Sequence, residues 1–199
     1  MVTTDVVVLL FGGRRAPRPL TGLRSQQVVG PDGIDAATSG CRRLIVVGSD
    51  ADLASVLTRL LRTDRLDVEV GHATGWLSAR RALTGTARRV PLIRDDTGNV
   101  IVGSAEWHGP DGASLHGEAV VDDTQLFDGE VTGIRIEPTN AMPGLRACVI
   151  RPGRDHWLVG RAAQLGTTGA VVTRDAEQSP KIVRRSTFYR HTRGWLLVR

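Results

Sequence analysis

Lysine is almost missing from this chain. Of its 26 basic residues, all but Lys181 are arginine, a bias that fits a GC-rich genome better than selection for bidentate phosphate contacts. Cysteine is nearly as scarce: Cys41 and Cys148 stand far apart without metal-ligand spacing, and they read as two buried, reduced thiols. The histidines His72, His108, His116, His156 and His191 form no H-x-x-x-H pair and no Cys/His cluster, which excludes a structural zinc site of ordinary spacing. No window approaches the roughly 18 apolar residues of a membrane-spanning helix. The opening "MVTTDVVVLLFGG" has neither the basic start nor the small-residue cleavage site of a leader, so the expectation is a cytoplasmic protein. G-x-S-x-G, Walker A and paired-metal motifs are absent, as is any internal repeat.

What remains is a chain of 199 residues, 41% apolar, long enough for one domain or for two small ones. Its charge is unevenly spread. Residues 101–150 carry eight acids against Arg135 and Arg146, a net of −6, and residues 151–199 carry ten bases against three acids, a net of +7. Either these segments neutralise each other, or the second presents a basic face to anionic lipid or nucleic acid. Lys181, Arg184, Arg185, Arg190 and Arg193 are the residues of such a face.

The first half reads as α/β. "DVVVLLF" (5–11) suits a buried strand, and residues 12–40 read as a long loop with a short strand at "QQVVG". Leu44–Val47 is a run of branched apolar residues for a strand covered on both faces. Leu53, Val56, Leu57, Leu60 and Leu61 then recur at helical spacing, with Asp50 or Asp52 placed to cap the first turn. A strand at "DVEVG" (67–71) and a helix at "GWLSARRAL" (75–83) complete the half. From Arg88 onward short apolar runs alternate with turn signals such as "DDTGN" and "GPDG", implying eight to ten strands in a β-sandwich-like second half. The expected fold is a small Rossmann-like α/β domain (1–87) followed by an antiparallel β-rich domain (88–199). Trp76, Trp107, Trp157, Trp195, Phe188 and Tyr189 are expected in the core or at partly buried surface, and "KIVRRSTFYRHTRGWLLVR" as a final hairpin.

"LIVVGSDADLASVLTRLL" resembles the nucleotide-binding segment of the diacylglycerol kinase and bacterial lipid kinase family: a strand, G-G-D-G-T, then an apolar helix. Gly48 and Asp50 match; Ser49, Ala51 and Asp52 replace two glycines and the threonine. "VVDDTQLFDGEVTGIRIEP" is similar to that family's aspartate-rich stretch, with Asp128 and Gly129 matching. "GRAAQLGTTGAVVTRDAEQ" looks like its late β segment ending in D-G-E, with Asp175 and Glu177 matching and Ala176 in place of glycine. "DVVVLLFGGRR" resembles the first strand and its turn, without the Asn and Pro.

The resemblance implies ATP and Mg²⁺ as cofactors and transfer of a phosphoryl group to a lipid hydroxyl. It places nucleotide at Gly48, Ser49, Asp50, Ala51 and Asp52, Mg²⁺ at Asp122, Asp123 and Asp128, and general-base chemistry at Asp175 and Glu177. Each site has a plain alternative: helix caps, turn carboxylates and a hairpin turn. The substitutions count against phosphate binding. Ser49 and Ala51 put Cβ atoms where the backbone must approach phosphate, and Asp52 adds a repelling charge. The chain is also short for such a kinase and has no Asn-Asp pair after "GHATG". Two readings follow: a divergent kinase-like protein with weak or no phosphotransfer, hence a pseudokinase; or a non-enzymatic scaffold using its basic C-terminal face for an acidic partner, at the membrane periphery if that partner is lipid. Nucleic-acid binding is a third, without a recognition motif.

Overall fold

Five consecutive buried residues, all apolar except Arg43, form each of two neighbouring interior strands of the first sheet, β1 (Val6–Leu10) and β3 (Arg43–Val47). They pair in parallel, with β2 (Arg24–Gln27) parallel on the far side of β1 and β4 (Glu69–His72) parallel to β3. Strands of this kind carry no alternation because both faces are covered. On one face Val6, Val8, Leu10, Ile45 and Val47 pack with Leu20 and with Ala73, Ala79 and Ala82. The alternate residues Val7, Leu9, Leu44 and Val46 are fully buried on the other. The connections hold α1 (Pro31–Thr38), α2 (Asp50–Arg62) and α3 (Trp76–Thr84). Helix α2 buries Leu53, Val56, Leu57 and Leu60, the stripe its spacing predicts. Strand β5 (Ala87–Val90) ends this run.

The structure, a computed structural model, describes residues 5–153 and 155–199. The first four residues of the segment read for a leader lie outside the described residues. Two units are distinguished: Met1–Val90 with Arg193–Arg199, and Pro91–Thr192.

The second unit is antiparallel throughout. Its strands are β6 (Ile93–Asp95), β7 (Val100–Ile101), β8 (Ala105–His108), β9 (Leu115–Val121) and β10 (Thr124–Val131), followed by β11 (Gly133–Pro138), β12 (Leu145–Val149), β13 (Leu158–Gly160), β14 (Ala162–Arg174) and β15 (Glu177–Arg190). The order is β13-β12-β11-β8-β14-β15-β6-β7, with the β9–β10 hairpin joined to β14. Strand β14 is long enough to serve two neighbours on one side: Ala163–Thr167 pair with β9 and Val171–Arg174 with β8. Trp107 and Phe188 sit fully buried in this core with ring centroids 5.7 Å apart, and the Trp107 indole N–H donates to Ser186 Oγ at 3.0 Å. Buried Trp needs such a partner.

The chain then returns to the first sheet. Strand β16 (Trp195–Val198) lies between β4 and β5, parallel to the first and antiparallel to the second. The final segment is therefore not a hairpin, and its last strand does not join the β-rich unit as the 87/88 split supposed. "WLLV" is an apolar run without alternation, which suits an interior position in a largely parallel sheet. Helix α1 also lies inside the expected loop; it starts on Gly30 with Pro31 in its first turn, the usual position for proline in a helix. The short strand expected at "QQVVG" begins two residues earlier, at Arg24 rather than Gln26. Among the described residues no helix is long and apolar enough to cross a membrane.

Candidate functional site

Parallel strands bring the loops after β1, β3 and β4 to one edge of the first sheet, the carboxyl edge where ligands of open α/β sheets are held. "GSDAD" is the loop after β3. Ser49 is the N-cap of α2, with φ −83° and ψ 176°, and it forms a reciprocal capping box with Asp52. The Asp52 N–H donates to Ser49 Oγ at 3.2 Å. In return Asp52 Oδ2 accepts the Ser49 N–H at 2.7 Å and the Ser49 hydroxyl at 2.8 Å. The cap is thus Ser49 rather than either aspartate.

Gly48 belongs to the same device. A Cβ built there would lie 2.5 Å from Asp52 Oδ2 and 2.8 Å from Asp52 Cβ, so the clearance this glycine provides is filled by the carboxylate of its own helix. The amide that opens the helix already has an anion, and that anion is covalently part of the turn. Asp50 remains outward, its side chain 54% exposed and 3.7 Å from His72 Nδ1, while His72 Nε2 lies 3.0 Å from the Gly48 carbonyl oxygen. His72 was not singled out in the sequence, where a lone histidine closing a strand carries no signal; only the parallel β3–β4 pairing puts it beside the turn. Ala51 is half-buried in the first turn of α2.

The aspartates of the second unit are also engaged. Asp175 and Ala176 form the two-residue turn between β14 and β15, both at positive φ (47° and 70°). The Asp175 carboxylate accepts backbone N–H groups from Val102 (3.0 Å), Gly103 (2.7 Å) and Ser104 (3.1 Å), and its own N–H donates to the Ser104 carbonyl at 2.8 Å. Glu177, next in line, is exposed. Asp122 repeats the arrangement in the β9–β10 turn at φ 51°. Its carboxylate accepts the N–H of Arg161 (3.0 Å) and of Ala162 (2.9 Å), and its N–H donates to the Ala162 carbonyl. Asp123 is exposed in the same turn, and Asp128 stands on β10 opposite Glu118. No group of three or more His, Cys, Asp or Glu side chains among the described residues is placed to hold a metal ion.

The basic residues do not form one face either. Arg190 donates to the Pro143 carbonyl at 2.9 Å, and Arg193 pairs with Asp64 of its own unit at 3.2 Å. Lys181, Arg184 and Arg185 are exposed on β15, where strand alternation sends the adjacent Arg184 and Arg185 to opposite sides. Both thiols are buried, and loss of solvation pushes Cys41 and Cys148 above the ordinary thiol range, which keeps them as unreactive packing groups. Asp35 is held below the usual carboxylate value by the hydrogen bond from Arg59, a contact that ties α1 to α2.

No protein-family model matches the chain, and no curated protein matches it in sequence. Solved structures do. An NAD kinase from Archaeoglobus fulgidus in complex with ATP superposes with a TM-score of 0.66 at 11% identity, over 98% of this chain and 93% of that one. A diacylglycerol kinase from Bacillus anthracis str. Sterne superposes with a TM-score of 0.71 at 10% identity, over 98% of this chain and 96% of that one. The chain has the kinase-like fold that these diacylglycerol kinases and NAD kinase share.

Proposed function

We propose that this chain is a divergent lipid kinase-like protein whose nucleotide turn has closed on itself, so that phosphoryl transfer from ATP to a lipid hydroxyl is weak or lost and the protein works by binding. The observation that carries this reading is the position of the Asp52 carboxylate, 2.7 Å from the Ser49 amide nitrogen and within the space Gly48 leaves. A phosphate brought to that amide meets a fixed negative charge. At about 4 Å and an effective dielectric near 20, the repulsion is on the order of 4 kcal/mol, about three decades of affinity. The residues present therefore do not fit ATP phosphates at this turn. The aspartates assigned to Mg²⁺ by resemblance fit poorly too, because Asp122 is committed to backbone amides and Asp128 lies out along β10. Asp175 reads best as the clamp of residues 102–104 rather than as a base, since three N–H groups already take its oxygens.

The test is thermal unfolding with ATP or ADP, with and without Mg²⁺, on the wild type, on Asp50→Ala and on the triple change Ser49→Gly, Ala51→Gly, Asp52→Thr that restores G-G-D-G-T. A nucleotide at a hundred times its Kd adds about 2.7 kcal/mol, which raises the Tm of a chain this size by roughly 5–10 °C. The wild type is expected to move by less than about 1 °C under those conditions, and the restored loop to move further. A rise of several degrees in the wild type that disappears in Asp50→Ala would overturn the reading in favour of a working nucleotide site.

A further inference from the structure

We infer that the loop after β1 and the outer face of α3 form a surface that docks this protein on an anionic lipid bilayer. The two segments, residues 11–23 and 73–84, contain Arg14, Arg15, Arg18, Arg80 and Arg81 and not one Asp or Glu. They form one structural piece: Ala16, Leu20 and Leu23 pack in the same cluster as Ala79, Ala82 and Leu83. All five arginines are exposed. None of their guanidinium groups has an ion pair or a hydrogen bond among the described residues, whereas Arg43, Arg59, Arg65 and Arg193 of the same unit each have a carboxylate.

Two large apolar side chains stand in this cationic field. Trp76 is 52% exposed and Leu77 63% exposed, side by side in the first turn of α3. The helix buries Ala79 and Ala82 inward and turns Trp76, Leu77, Arg80, Arg81 and Thr84 outward. They are not a frayed end. The Ser78 hydroxyl accepts the N–H groups of Thr74 and Gly75, both at 2.9 Å, and donates to the Gly75 carbonyl, so the start of α3 is fixed by its own side chain. Single exposed apolar residues are ordinary; an adjacent Trp-Leu pair, held out rigidly beside five unpaired cations, is not.

The chemistry that satisfies both halves of this surface is a bilayer with negative headgroups. Arginine guanidiniums meet phosphate and carboxylate, their stems lie along apolar surface, and tryptophan prefers the headgroup boundary while leucine enters the acyl region. Single-stranded nucleic acid satisfies less of it. Stacking would use Trp76 alone and leave Leu77 without a partner, because the other aromatic of these segments, Phe11, is buried. The inference does not depend on the state of the nucleotide turn, and its test reads vesicle binding rather than a nucleotide shift.

The experiment is sedimentation of the full chain with phosphatidylcholine vesicles, with and without about 30 mol% phosphatidylserine, combined with tryptophan fluorescence. The wild type is expected to bind the anionic vesicles about tenfold more tightly than the neutral ones, to be released by salt, and to shift its emission to the blue. Trp76→Ser with Leu77→Ser, and separately Arg80→Glu with Arg81→Glu, are expected to weaken anionic-vesicle binding about tenfold with unchanged circular dichroism, since every altered side chain is exposed. Three outcomes overturn the inference: equal binding to neutral vesicles, no binding to either, or binding lost only in Lys181→Glu, Arg184→Glu, Arg185→Glu. So does binding of an oligo-dT strand that needs Trp76 in a protein that ignores vesicles.

Discussion

Ala176 is the residue at which this chain departs most plainly from what its local backbone prefers. At φ 70° it occupies a left-handed position, next to Asp175 at φ 47°. Aspartate tolerates that region because its short side chain can bond locally; alanine gains nothing there and keeps the clash of its Cβ with the carbonyl. The turn persists because the Asp175 carboxylate is anchored on three amides of residues 102–104, more than 70 residues away in sequence. Ala176→Gly is accordingly expected to stabilise the protein by about 0.5–1 kcal/mol, read as a higher urea midpoint with unchanged slope. An unchanged or lower midpoint would mean that the turn does not hold the backbone strain described for it.

At the scale of elements, Arg43 decides how the first sheet receives α3. It is 7% exposed, pairs with Glu69 across β3 and β4, and donates to the carbonyls of Ala82, Leu83 and Gly85 at the helix end. Arg43→Met leaves a half-buried carboxylate and three carbonyls without their donor. It is expected to cost about 3 kcal/mol, and Glu69→Gln less, because only one contact then loses its charge. Equilibrium denaturation of the two variants checks that order.

The elements also show what could be read beforehand. Strand β3 and helix α2 are legible because a four-residue apolar run and a 3.6-residue stripe are local facts. The roles of the aspartates are not. Whether Asp52 faces a phosphate or turns back to Ser49 depends on one side-chain torsion, and whether Asp122 or Asp175 is free depends on strands paired far along the chain. Helix α1 escaped notice because Gly33 and only three buried positions give it almost no stripe. Spacing in sequence suggests that Asp122, Asp123 and Asp128 could share an ion; the β9–β10 hairpin carries Asp128 away from the turn that holds the other two, because a strand advances more than 3 Å per residue.

At the scale of the molecule the governing feature is the interruption of the first unit by the second. Strand β16 sits between β4 and β5, so removing Arg193–Arg199 leaves both with unpaired edges. A chain ending at residue 192 is expected to lose the cooperative unfolding of the first unit, and the same chain supplied with a 193–199 peptide in trans to regain it in part. Hydrogen exchange reads the outcome: protection in β4 and β5 should fall, while protection in β14 and β15 persists. Full protection of β4 without β16 would contradict the pairing.

The same insertion sets an order of events during synthesis. Translation proceeds at roughly 5–20 residues per second, and domains generally fold from the N-terminus as they emerge. Here the N-terminal unit cannot close its sheet until residue 198 has left the ribosome, by which time every strand of the second unit is already available. The later-made unit is thus the first able to finish. Until β16 emerges, β4 and β5 wait as open edges, the state in which a nascent chain is most exposed to a holding chaperone or to a neighbouring copy.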